Sequence, residues 1–436
     1  MSEPTFDRPA LRSLPDARPA PEPDRVLQST LALVLAGGRG SRLEPLTDAD
    51  AKPALPFGGH LNLIDFTLSN CINSGLRRVA VLTQYKAQSL IRHITRAWGS
   101  LDAGLGEFVD IVPAQQRIGE DWYRGTADAV FQNLDLLAET GARHVLVLAG
   151  DHVYKMDYGP MLREHLRRGA ELSMACCEVP IEQAPAFGVV RCADDGRITA
   201  FEEKPAHPWS QRAHPGQALV SMGVYAFETA ALVAALREDA ADPASCHDFG
   251  HDLIPRLIRL ARVYAHDFAA SCVHPVGAQP YWRDVGTLDA YWQAHMELLG
   301  ASPAFELDDE TWPLRGLPAQ LPPARFVCDE EGRSGMALDS LVDNGCVVRG
   351  ATVRRSLLFA QARVGEGSIV EESLLLPGAR VGRRVRLRRT IVDRRCALPD
   401  GLCVGLHPDE DRARFAISAG GICVVTAAML AASGRD

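Results

Sequence analysis

Between residues 347 and 404, aliphatic side chains recur every six residues, a spacing that neither a free helix nor a free strand uses. Val347, Val353 and Phe359 form one run, and Val364, Val370 and Leu376 form another. Leu375, Val381 and Leu387 repeat the spacing, as do Val385, Ile391, Ala397 and Cys403. Glycines follow aliphatics at Val364-Gly365, Val381-Gly382 and Val404-Gly405. Chance spacing would not give four overlapping runs. Small residues at corners and aliphatics turned inward once per side predict a parallel β-helix over residues 327–436. A solenoid leaves strand edges bare at its ends, so it is expected to pack on another domain or subunit. Upstream, Pro303, Pro313, Pro318, Pro322 and Pro323 break any periodicity, which marks 301–326 as a linker.

From Leu31 to about residue 300 the pattern is different. Strand-like runs fall at 79–83, 108–112, 145–149, 172–178, 188–191 and 221–227. Helix-like stretches fall at 64–74, 127–139, 158–168 and 253–261. This alternation predicts an α/β domain with a mostly parallel sheet over 27–300. Its first strand, Leu31-Ala32-Leu33-Val34-Leu35, is apolar throughout, as a strand covered on both faces must be. Gly37, Gly38 and Gly40 follow at once, with Arg39, Arg42 and Lys52 close by. Glycines let a ligand approach backbone N–H groups, and fixed cations add charge, so the loop suits a polyphosphate. Glycines serving only the geometry of a βα turn are the alternative. No Walker lysine follows, and the third glycine of a dinucleotide fingerprint is missing.

Bulk properties narrow the function. The 436 residues carry a net charge of −9, which argues against a nucleic-acid binder. Eleven cysteines show no paired zinc spacing, so reduced thiols in a cytoplasmic protein are expected. No apolar run is long enough to span a bilayer, and no apolar signal core opens the chain. Residues 1–26 hold six prolines and few large apolar groups, the composition of a flexible arm.

Four further stretches carry candidate chemistry. Gly125-Thr126 opens a helix whose free N–H groups could bond a base or phosphate, or be capped by Thr126. Asp151 follows a buried strand at the edge where ligands bind in such sheets, and a hard carboxylate there suits a phosphate-bound Mg²⁺; a turn or cap aspartate is the alternative. Lys204, between Glu203 and Pro205, could hold a sugar phosphate as a point charge, though exposed Lys-Pro loops are common. Asp284, two residues before Gly286, is a second candidate metal carboxylate. His152, His247 and His251 are expected to be structural.

Taken together, the motifs resemble bacterial ADP-glucose pyrophosphorylase (glucose-1-phosphate adenylyltransferase). The resemblance rests on residues 35–43, Ala51-Lys52-Pro53-Ala54, residues 64–75, Thr83-Gln84-Tyr85 and Pro113-Ala114-Gln115-Gln116. It continues through residues 122–129 and 149–154, Phe201-Glu202-Glu203-Lys204-Pro205, Ser221-Met222-Gly223-Val224-Tyr225, His247-Asp248-Phe249-Gly250 and residues 281–287. It implies a Rossmann-like, GT-A-type catalytic domain, a left-handed β-helix and a homotetramer. The implied reaction joins ATP and α-D-glucose 1-phosphate to give ADP-glucose and pyrophosphate, the committed step of bacterial glycogen synthesis.

Carried over by motif, Gly37, Gly38, Arg39, Gly40, Arg42 and Lys52 would bind the ATP phosphates, with Arg42, Lys52 and Asp151 as the catalytic set. Gln84, Gly125 and Thr126 would meet adenine, and Tyr123 the nucleotide sugar. Gly188, Glu203, Lys204 and Ser221 would contact the sugar phosphate, with Asp248 nearby. Asp151 and Asp284 would hold Mg²⁺. A catalytically silent regulatory paralogue, or a pyrophosphorylase using another nucleotide, are the competing readings.

One stretch departs from the family. In enteric members the residues before Ala-Lys-Pro are basic and serve a sugar-bisphosphate activator. Here Thr47-Asp48-Ala49-Asp50 carries two acids, so activation by fructose 1,6-bisphosphate through that patch is not expected. Fructose 6-phosphate or pyruvate are expected instead as effectors. The basic run Arg383, Arg384, Arg386, Arg388, Arg389, Arg394 and Arg395 is a candidate anion site or a solvated face.

Overall fold

The computed structural model describes residues 25–38, 40–99, 106–115, 122–274, 279–317 and 320–433. Nearly all of the arm expected over 1–26 lies outside them. Residues 25 and 26 belong to a short helix, Arg25–Gln28, whose Val26 is buried in the catalytic core.

The N-terminal domain is built on a nine-stranded sheet. Strand β1 (Thr30–Ala36) lies at its centre, and short β2 (Pro56–Phe57) and β3 (Leu61–Asn62) form a hairpin beside it. Strands β4 (Arg78–Thr83), β5 (Phe108–Pro113) and β6 (His144–Ala149) complete a parallel group in the order β6-β1-β4-β5. After β7 (Val153–Tyr154) come β8 (Leu172–Pro180), β9 (Gly188–Cys192), β10 (Ile198–Glu203) and the long β11 (Gln217–Glu228). Strand β11 enters antiparallel to β6 and carries β9, β10, β8 and then β12 (Val263–Asp267). The two-residue β13 (Trp282–Arg283) pairs with β7.

The unbroken apolar run of β1 has a direct cause. Ala32, Val34 and Ala36 enter one core while Leu31 and Leu33 enter the other, so both faces are covered. Its neighbours β4 and β6 lie on opposite sides of it, both parallel, which makes the carboxyl end of β1 the switch point where such sheets open a crevice.

One predicted helix is broken. Residues 127–139 form two helices, Thr126–Phe131 and Leu134–Thr140. The Gln132 side chain turns back to Asp128, and Asn133 Nδ2 donates to the Ala129 carbonyl and the Tyr123 hydroxyl. Side-chain bonds to nearby groups compete with the helix, and here they end it.

The predicted solenoid is present as three parallel sheets of short strands, starting at Arg325–Val327. Its inward ladder reads Val348, Val353, Leu358, Val364, Val370, Leu375, Val381, Leu387, Val392, Leu398 and Val404, all buried. Steps of five are mixed with steps of six, because each coil is 16 or 17 residues long: Val348 pairs with Val364 and Val364 with Val381. The strict six-residue count therefore slips. Val347 and Cys403 are half-buried and Ala397 is exposed, outside the core the spacing assigned them.

The sheet running through Leu357–Leu358, Leu374–Leu375 and Thr390–Val392 is buried on both faces. Leu358, Leu375 and Val392 point into the solenoid. Leu357, Leu374 and Ile391 join Phe359 and Leu376 against Phe57, Tyr291 and Leu43 of the catalytic domain. Arg394 adds a polar tie there, pairing with Asp50 at 2.6 Å and donating to the Leu46 carbonyl. His295 sits in the same seam against the Phe57 and Phe359 rings. Its Nδ1–H donates to the Tyr291 carbonyl and its Nε2 accepts the Gly58 N–H, and burial holds its pKa down at about 3.

The segment expected as a linker is a strap laid along the helix Leu63–Asn73. Phe305 is buried, Asp309 pairs with Lys155 at 3.0 Å, Trp312 donates to Asn70, and Arg315 bonds Ser69. Its prolines prevent a helix while its side chains are spent on the domain beneath.

Candidate active site

Past the end of β1 the chain turns through Gly37 and Gly38. Gly40 adopts φ +60°, where a side chain would strain and would also meet Thr47 and Lys52. Arg39 lies outside the described residues. The turn, with Arg42, Lys52, Asp151, Asp284 and Gly286, lines a cavity of about 230 Å³.

Three charges meet at its floor. Lys52 Nζ lies 3.0 Å from Asp151 Oδ2 and 3.0 Å from Asp284 Oδ1, and donates to the Asp284 carbonyl at 2.7 Å. Burial alone would lower the ammonium's pKa. The two carboxylates outweigh it and raise the value above that of an ordinary lysine. Burial likewise works to raise Asp284, but Lys52 and His152 hold it far below the usual carboxylate range. A Cβ on Gly286 would fall 2.5 Å from Asp284 Oδ2, so glycine is what leaves this carboxylate room.

His152 is the site residue that sequence reading assigned to structure. Its Nδ1 lies 3.1 Å from the Met222 carbonyl, an acceptor only, so Nδ1 carries the hydrogen. Nε2 then faces Asp284 Oδ1 at 3.3 Å and Asp151 Oδ1 at 3.6 Å. Trp282 fixes the ring edge-on. One ligand atom from each of Asp151, His152 and Asp284 lies within 4.8 Å of the others, and this is the metal-competent cluster among the described residues. Two carboxylates and an imidazole suit a divalent cation. His247, by contrast, is structural as expected, its Nδ1 bonded to Asp239 at 2.9 Å.

A second cavity of about 170 Å³ shares Leu35 and Gly37 with the first and adds Gln84, Tyr123, Gly125, Thr126 and Asp248. Gln84 bridges to the Tyr123 carbonyl at 3.0 Å. The helix at Thr126 does not offer the free donors that were expected of it. Ala127 N–H donates to the His247 carbonyl at 2.9 Å, and so does Asp128 N–H. Nor is Thr126 the cap: its hydroxyl bonds Asp248 Oδ2 at 2.9 Å and accepts from Phe249 N–H. Gly125 is obligatory, since a Cβ would stand 2.3 Å from the His247 carbonyl oxygen.

Asp248 leads to the last group. It caps Gly250 and His251, and Gly250 lies against Glu203, which in turn lies against Gly188. Lys204 follows with φ +48°, its ammonium 2.7 Å from Glu203 Oε1 and half exposed. Ser221 bonds the Tyr225 hydroxyl at 3.2 Å, at the bulge where β11 slips register between Ser221 and Tyr225. That bulge carries Met222 to His152 and Gly223 against Ala149, joining the two halves. The fold thus gathers every described residue of the sequence-derived set along one run of the sheet edge.

The nucleotidyl transferase family matches residues 31–300, and a GlmU-like C-terminal hexapeptide family matches residues 322–425. A glucose-1-phosphate adenylyltransferase of Nitrosospira multiformis is 52% identical over 93% of this chain and 96% of its own length. Enzymes of the same name are 54% identical in Methylobacillus flagellatus, over 92% of this chain and 94% of theirs, and in Paramagnetospirillum magneticum, over 93% and 95%.

Proposed function

Because the chain belongs to the glucose-1-phosphate adenylyltransferases, we propose that its cleft joins ATP to α-D-glucose 1-phosphate, releasing pyrophosphate and giving ADP-glucose for glycogen synthesis. One observation carries the assignment of the site: a buried ammonium and two aspartates meet directly beyond a glycine turn at the sheet's switch point.

The chemistry asks little of acids and bases. The sugar phosphate is already an anion, so its oxygen attacks the α-phosphorus of ATP without a general base, and the pyrophosphate oxygen leaves in line. What the protein supplies is position and positive charge. The Gly37–Gly40 backbone and Arg42 receive the phosphates of ATP, and Lys52 neutralises charge as the new bond forms. Gln84, Gly125 and Thr126 border the adenine pocket, with Tyr123 on the nucleotide-sugar side. Since the Ala127 and Asp128 N–H groups are taken, recognition there falls to Gln84 and the Gly125-Thr126 backbone. Lys204, poised by Glu203 and by the close packing at Gly188, holds the sugar phosphate, with Ser221 and Asp248 alongside.

Asp151 and Asp284 would hold a divalent cation, which we assign as Mg²⁺ and which would supply charge neutralisation at the phosphates, with the His152 Nε2 lone pair facing the same position. As a cytoplasmic homotetramer regulated by small metabolites, the enzyme would take the solenoid as its assembly platform. Among the described residues no helix is long and apolar enough to cross a membrane.

Pyrophosphate release measured with glucose 1-phosphate and each of ATP, UTP, GTP and dTTP tests the reading. ATP should exceed the others by at least tenfold in kcat/KM. Equal turnover with UTP or dTTP would overturn it.

A further inference from the structure

The solenoid carries a second concentration of positive charge, and of the basic run that the sequence displays only Arg395 belongs to it. That run is dispersed: Arg383 faces Glu366, Arg389 lies over the Trp292 ring, and Arg394 is tied to Asp50. Instead, residues far apart in sequence stack on one face. Arg363 and Arg380 are partners on adjacent strands, and Arg325 stands two strands away on the same column, with Val347 between. Adjacent strands are about 4.8 Å apart, so three guanidinium stems occupy about 15 Å of one face.

Other edges of the same solenoid neutralise their arginines across the coils. Arg349 pairs with Glu366, Arg354 with Glu371 and Arg355 with Glu372. Among the described residues, no carboxylate pairs with Arg325, Arg363, Arg380 or Arg395, and none lines the groove they share. All four are exposed. Like charges this close cost free energy unless an anion lies between them, in a chain whose net charge is −9.

The groove also has shape. It encloses about 710 Å³, walled on one side by Pro322 and Pro323. Its floor is made by corner glycines: Gly378, at φ +73°, would place a Cβ 3.3 Å from Arg395 Cγ, so the bare corner is what lets that side chain lie across it. Such a volume suits one ligand of sugar-phosphate to nucleotide size. A guanidinium presents a planar fork that matches phosphate oxygens two at a time.

We propose that this face is an anion site for a small metabolite bearing two phosphate groups, one held by Arg363 and Arg380 together and the other reached by Arg325 or Arg395. It is separate from the catalytic cleft and independent of the reaction assigned there.

Calorimetric titration of the full chain with inorganic tripolyphosphate tests it. Arg363→Ala/Arg380→Ala should lose the binding class on this face, weakening it at least tenfold, and should reduce the accompanying rise in Tm to the part contributed by the cleft. Arg354→Ala/Arg355→Ala removes the same formal charge from a neutralised edge and should change the affinity less than twofold. Arg363→Gln/Arg380→Gln repeats the first variant should the alanines disturb folding. Equal losses in both alanine pairs, or no loss in the first, would overturn the proposal. So would a changed sedimentation coefficient in the first variant with binding intact, which would make the face a contact between copies of the chain.

Discussion

Lys52 is 7% exposed and lies between two carboxylates, whereas the Lys204 side chain is 52% exposed beside one. Both are cations proposed to meet phosphate, yet their surroundings differ. Around Lys52, one ammonium already answers two carboxylates before any ligand arrives, and removing it leaves both aspartates uncompensated in a partly dry pocket. Around Lys204, water already solvates the ammonium, so its pairing with Glu203 is worth little to the fold. The comparison separates groups that hold the cleft together from groups that only receive substrate.

Asp151→Asn tests the first kind most severely. It should lower kcat about a thousandfold while circular dichroism and Tm stay close to wild type, since the amide keeps the shape and loses only the charge. Wild-type turnover would remove Asp151 from the balanced cluster. Lys52→Met should lower kcat about a hundredfold and also cost about 2 kcal/mol of stability, because both aspartates then face each other unneutralised. Added Mg²⁺ should restore part of that Tm loss; a melt indifferent to the metal would show that the carboxylates do not hold it.

His295 sharpens the contrast, being buried like Lys52 but with no charged partner, so its pKa falls instead of rising. A histidine depressed to about 3 stabilises the fold fully above its unfolded value, near 6.5, and loses that contribution as pH drops below it. Denaturant melts at pH 7.5 and pH 5 should therefore differ by about 2 kcal/mol from this residue, and His295→Gln should remove that part of the difference. His165, pushed down to about 4 by burial, adds to the same limb. Lys52 and Asp284 should not titrate in this window: the raised lysine keeps its contribution until pH climbs past the ordinary lysine value, and the lysine beside Asp284 holds that carboxylate below the usual carboxylate range. Lys204→Ala should be the mildest, raising KM for glucose 1-phosphate about tenfold with the ATP KM and Tm nearly unchanged. Equal rises in both KM values would merge the two ends of the cleft.

How much of this the chain announces depends on how local each cause is. The first strand and its glycine turn are legible because covering on both faces demands an apolar run, and Gly40 needs its φ. Asp151 and Asp284 are legible because each follows directly from a strand or turn. His152 is not, since the carbonyl that orients it belongs to Met222, on a strand 70 residues away. The stop after Phe131 escapes helical periodicity, being made by Gln132 and Asn133 folding back on the turn before them. The solenoid's period is legible only approximately, because corners shed one or two residues per coil without disturbing the inward ladder. The arginine column is invisible in the sequence for the same reason: its members are 17 and 38 positions apart.

The bond from Arg394 to Asp50 has a mechanical meaning. Asp50 precedes Lys52 by two residues, and the intervening Ala51 is fully buried. The C-terminal domain thus grips the very loop that carries the Lys52 ammonium, two residues from the point of grip. A turn of the solenoid against the N-terminal domain would be carried to Lys52 through two residues of chain.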